Sequence, residues 1–211
     1  MGVISISKLA VKAAKKAAKD ALTVRHSATE PYEVLYHGSK GTNAKKLVVD
    51  DKPENDLFNG VFASVDKDAA LSHGDYLYHT YMPENKILRQ FPLEYELPYE
   101  TTLKAFEDVT GFKKGEPGFD EAWKAVIEDQ SNDVENLYDI LGGRFEGQGE
   151  AEWKAQKLRG QVAKHLGYGA VEMRDEHGTS YLVTPGAVFR RGDPYRIKAR
   201  GGRVSSFAVK R

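Results

Sequence analysis

The chain reads as an α+β domain with a helical insert between its strands and a basic arm at each end. Three observations predict this. Short β-branched and aromatic runs cluster at Glu33 to His37, Gly60 to Ser64 and Tyr76 to Met82, and recur after residue 170. From Tyr99 onward the apolar spacing between these groups is helical instead. Charge is segregated: six Lys/Arg face one acid from Met1 to Arg25, and eight face one from Val188 to Arg211, whereas Glu84 to Glu152 holds seventeen acids and seven bases.

Over the 211 residues 31 basic side chains balance 31 acidic ones, so no general attraction to nucleic acid or anionic membrane is expected. The one-signed middle instead offers an acidic surface to a basic partner. No cysteine is present, which excludes disulfides and thiolate chemistry and fits a reducing cytosol. No apolar run approaches the roughly twenty residues that span a bilayer. The N-terminus lacks a secretory h-region, and a soluble intracellular protein is expected.

In chain order, KLAVKAAKKAAKDAL (Lys8 to Leu22) is made of good helix formers with a mostly alanine face, which predicts a basic, exposed helix. Thr23 to Pro31 links it to EVLYH, a strand that ends at Gly38-Ser39. The missing side chain there lets a ligand approach the backbone beside His37. Lys40 to Asn59 is polar and reads as a long loop of the kind that carries function. After the Gly60 to Ser64 strand, Asp66 caps a helix that runs through Ala69, Ala70 and Leu71 to His73 and is terminated by Gly74. Three helices are expected at Tyr99 to Gly111, Phe119 to Gln130 and Asp133 to Leu141, set off by the Gly/Pro-marked FKKGEPG and GGRFEGQG. Glu150 to Leu166 is the most regular helix, with Trp153, Leu158, Val162 and Leu166 on or near one stripe. It feeds a hairpin, Ala170 to Arg174 and Thr179 to Val183, joined by Asp175-Glu176-His177-Gly178. Ala187 to Arg190 is a last strand. The organisation is a basic helical arm and linker over 1–30, one domain over 31–191 with an acidic helical insert at about 99–149, and a basic tail over 192–211.

The hairpin tip concentrates two carboxylates and an imidazole. Like charges in sequence raise at least one carboxyl pKa, which the histidine offsets. An ordinary solvated turn uses the same residue types. The wider pattern separates the two readings: YHGS, then GVFAS with a helix ending in SHG, then a late hairpin with a carboxylate, resemble in that order the catalytic core of the ADP-ribosyltransferases. Over about Leu35 to Phe189, the stretches LYHGS, GVFAS, ALSHG, LRGQVAKHLGY and VEMRDEHGTSYLVTPG are similar to the phage anti-CRISPR ADP-ribosyltransferases that inactivate the type I-F surveillance complex. The two arms and an enlarged insert depart from that resemblance.

The resemblance implies an ADP-ribosyltransferase-like split β-sheet core and NAD as cofactor. His37, with the backbone of Gly38 and Ser39, would hold the NAD amide and ribose. Phe62, Ala63, Ser64 and His73 would surround the nicotinamide, with Phe62 and His73 in place of a pair of tyrosines. Asp175 would be the catalytic carboxylate with Glu176 beside it and Glu172 as a further substitute; many transferases of this fold carry a glutamate about where Ser180, which has no carboxylate, stands here, and that departure favours Asp175. A preorganised carboxylate stabilises positive charge developing on the ribose, as in glycoside cleavage. The implied partner is a host protein in the bacterial cytoplasm, the motif-reading large subunit of the type I-F CRISPR surveillance complex, with no membrane and no direct DNA binding by the core. Three rival readings remain: a phage effector or toxin acting on another host protein or nucleic acid, an acidic DNA mimic without catalysis, and a metal centre of His37, His73, His177 and Asp175, which lack HxH or HxxxH spacing.

Overall fold

Strand β1 (Tyr32–Ser39) is built from YEVLYHGS and pairs antiparallel along its whole length with β4 (Tyr76–Pro83), from Tyr32 opposite Pro83 to Ser39 opposite Tyr76. In this computed structural model, which describes residues 31–41, 44–52, 58–89, 97–142, 148–175 and 178–193, β8 (Val188–Arg191) and β2 (Lys46–Val48) complete a sheet of order β1-β4-β8-β2. A second sheet contains β3 (Val61–Ala63), β7 (Gly178–Val183), β6 (Ala170–Asp175) and β5 (Ile87–Leu88), in the order β3-β7-β6-β5.

The second sheet has two apolar faces because its strands alternate with period two. Ala170, Tyr181 and Val183 face the first sheet and pack with Leu35, Tyr78 and Phe189. Val171, Met173 and Leu182 face the opposite way, into a larger core covered by helices. Those helices are α2 (Tyr99–Thr110), α3 (Phe119–Val126), α4 (Leu137–Leu141) and α5 (Gln148–His165), while the short α1 (Lys67–Ser72) lies against β1 and β4. The result is sheet, sheet and helices in three layers, the mixed α+β arrangement that the segregated strand and helix signals predict.

Asp66 accepts the backbone N–H groups of Asp68 and Ala69 and so caps α1, as its position before the helix predicts. Other elements depart from expectation. The loop expected over 40–59 contains β2, whose three residues, KLV, pair with Val188–Arg190 and are too few to signal a strand by themselves. Ile87–Leu88 is too short to signal a strand, yet it pairs parallel with Ala170 and Val171. The helix expected to reach Gln130 stops at Val126, and Asp129 just beyond takes a left-handed φ of 56°. The helix expected from Asp133 resolves into a 3-10 turn at Ser131–Asp133 and α4, with Asn136 at φ 58° between them. The buried side of α5 is Ala151, Ala155, Arg159, Val162 and Ala163, while Trp153 is 47% exposed. Small residues let α5 approach the sheet: a Cβ on Gly160 would stand 2.6 Å from a Leu182 methyl. The arm expected over 1–30 and the tail from 194 lie outside the described residues.

Candidate active site

Where the two sheets diverge, one bridge still ties them: the Tyr36 N–H donates to the Ser64 carbonyl (2.7 Å) and the Ser64 N–H donates back to the Tyr36 carbonyl (2.8 Å). A cavity of about 340 Å³ opens beside it, within the usual size range of small-molecule sites. His37, Gly38, Phe62, Ala63, Ser64 and His73 all line it. These residues come from β1, β3 with the bridge residue after it, and the end of α1, so three separated sequence motifs converge on one space.

Two glycines hold that geometry. A Cβ at Gly38 would lie 1.9 Å from the Ala70 carbonyl oxygen, and one at Gly74 would lie 2.2 Å from the Ser39 carbonyl carbon. Only bare backbone allows α1 to press this closely on the end of β1. The contact brings His73, the C-cap of α1, to the same cavity as His37. Ser39 does not line the cavity; it ends β1 opposite Tyr76, with its carbonyl under Gly74.

His37 Nδ1 lies 2.8 Å from the Phe62 carbonyl oxygen. A carbonyl only accepts, so the imidazole carries its proton on Nδ1, and in the neutral ring Nε2 is left as an acceptor. Burial pushes the His37 pKa down, the bond to Phe62 opposes this, and the nearby His73 lowers it further. The ring stays neutral at pH 7 and presents an acceptor to a ligand. Phe62 is half-buried and meets the edge of Phe58 at 4.8 Å, and Phe58 in turn meets Trp153 at 6.4 Å.

The backbone of Asp175 closes β6 opposite Gly178, one pair beyond Arg174 and Thr179. Thr179 and Ser180, the next residues of β7, line the cavity. Glu176 and His177 lie outside the described residues. Glu172, the further carboxylate of the sequence reading, is engaged elsewhere: it approaches Arg89 Nη1 at 3.9 Å, in a group where Arg89 also donates to Glu33 and, at 3.1 Å, to the Tyr181 hydroxyl. It is not part of the cavity wall. Sequence reasoning missed Tyr36, Ala69, Ala70, Gln156, Thr179 and Ser180 as lining residues. Gln156 had a faint signal, a polar side chain on α5 one turn after Trp153; the rest are set by how α1 and the sheets meet. Among the described residues, no three His, Asp or Glu side chains are grouped to hold a metal ion, and no helix is long and apolar enough to cross a membrane.

By comparison with known families, the chain is an ADP-ribosyltransferase. Residues 33–191 match the anti-CRISPR type I-F ADP-ribosyltransferase AcrIF11, and the chain belongs to that family. A crystal structure of an anti-CRISPR protein is similar to it at 28% identity with a TM-score of 0.56, covering 76% of this chain and 95% of that one. No curated protein sequence matches the chain.

Proposed function

We propose that the cleft binds NAD and transfers ADP-ribose to the motif-reading large subunit of a type I-F CRISPR surveillance complex in the host cytoplasm, so that target DNA recognition is blocked. The observation that carries the NAD reading is the fixed His37 tautomer, which leaves Nε2 as an acceptor inside a largely apolar cavity. The residues present fit the group. Gly38 is part of the cavity wall beside His37, Phe62 supplies an aromatic wall, and Nε2 of His37 accepts a hydroxyl hydrogen. NAD supplies ADP-ribose on a positively charged leaving group.

Asp175 is the proposed catalytic carboxylate, supported by its place at the end of β6, next to the Thr179 and Ser180 wall. A fixed negative charge there favours the cationic ribose over the ground state and lowers the barrier by several kcal/mol in a water-poor site. Glu176 follows it in sequence and is the proposed second carboxylate.

The deciding experiment is incubation of the protein with labelled NAD in host lysate, with and without type I-F complexes, followed by identification of labelled species. The expected result is label on the large subunit only when the complex is present, with substoichiometric protein sufficient for inactivation. Stoichiometric inhibition without NAD would overturn the enzymatic route in favour of acidic mimicry, and label on another host protein or on nucleic acid would overturn the target.

A further inference from the structure

Among the described residues, β5 pairs with β6 only at Ala170 and Val171, and no described strand lies beside the stretch from there to Asp175 on that side. Along a strand the N–H and C=O groups of residues two apart point the same way, so Glu172 and Arg174 present their backbone groups to that open edge. Two side chains take those places. Arg159 Nε donates to the Glu172 carbonyl at 3.3 Å, and an Asp129 carboxylate oxygen accepts the Arg174 N–H at 2.8 Å.

Both side chains reach back into the helical insert. Arg159 projects from α5, is 1% exposed, and its Nη1 donates to the carbonyls of Val126 (3.0 Å) and Ile127, where α3 ends. Its Nη2 is buried and has no hydrogen-bond partner among the described residues. Burial lowers the Arg159 pKa, and Asp129 and Glu172 oppose this as nearby negative charges. Asp129 stands two residues past Ile127, in the left-handed conformation that turns the chain toward β6.

We infer that Asp129, just past the end of α3 that Arg159 ties to β6, is a positioning residue for the transfer reaction: it fixes the backbone of β6 one residue before Asp175, the proposed catalytic residue. This rests on the assignment of Asp175 above. Its consequence is that one member of the acidic stretch acts through the hairpin rather than through the target surface.

The test uses the full chain with Asp129→Gly, Asp129→Ala and Asp129→Asn, reading NAD turnover with target present and hydrogen exchange of the Arg174 amide. Glycine adopts φ 56° without strain, so it removes the carboxylate alone. Asparagine keeps an oxygen acceptor. The expected result is a fall in kcat of about tenfold or more for the glycine and alanine variants, with KM for NAD little changed, faster Arg174 exchange, and kcat largely restored by asparagine. Full turnover by Asp129→Gly, a loss confined to KM, or an alanine defect wholly cured by glycine would overturn the positioning role. Asp175→Asn is assayed alongside. If it retains full rate, the assignment of Asp175 fails; if it is inactive while Asp129→Gly is fully active, only the positioning role fails.

Discussion

The imidazole of His37 loses water on folding and gains only a carbonyl partner on Nδ1, so it binds a proton less readily folded than unfolded. In the unfolded chain it titrates near pH 6.5. Below that value the unfolded state takes up the extra proton, and stability falls with pH until the lowered folded pKa is passed; above about pH 6.5 the site costs nothing. His37→Gln should therefore flatten the fall of the thermal midpoint as the pH is lowered below about 6.5; an unchanged slope would assign that fall to other groups. Phe62→Ala opens the wall of the cavity and should weaken NAD binding by about 1–3 kcal/mol, measured by calorimetry. Asp175→Asn should abolish transfer while NAD affinity and fold persist, because charge at this position acts once the ribose becomes cationic. A stability change within about 1 kcal/mol is expected for that variant.

At the scale of elements, the contact between β1 and α1 is the one on which the cleft depends. Gly38→Ala places a methyl against a backbone carbonyl that has no rotamer to change, so the helix must move. Overpacking of this kind costs about 1–3 kcal/mol, which for a chain of this size lowers the thermal midpoint by several degrees. NAD affinity should fall with it, since displacement of α1 carries His73 and Ala70 away from the cavity; a variant that melts normally and binds normally would separate the two elements. Most of these elements could be read locally. The YHGS strand end, the Asp66 cap and the hairpin each carry their own turn, cap or alternation signal. The two-residue β5 and the three-residue β2 carry none, because each is too short to signal a strand by itself. The breaks at Asp129 and Asn136 were equally hidden: acidic and amide residues suit a helix flank as well as a left-handed position, and tertiary contacts decide.

For the whole molecule, the acidic stretch divides into carboxylates with internal partners and carboxylates that face solvent. Glu107 accepts the Lys114 N–H and pairs with Lys113, and Asp108 pairs with Lys104 and lies 3.5 Å from His165, so these two brace α2. Asp120, Glu121, Glu135 and Asp139 are exposed. Reversing the charge of these four should slow association with the target most at low salt, where the Debye length is long, and leave nicotinamide release untouched; salt-independent, unaltered association would reject the acidic face as the docking surface. The sequence by itself determined the class: residue type and order place a histidine at a strand end, an aromatic strand, a capped helix and a late carboxylate hairpin, and these are local properties of short segments. Only the tertiary structure decided which carboxylates share a face. Glu172 stands beside Arg89 at 3.9 Å and is not in the cavity wall. Asp129, from the acidic stretch, accepts the Arg174 N–H on the β6 edge beyond the two residues that β5 pairs with. Long-range backbone pairing of this kind leaves no periodicity in the segments that supply it.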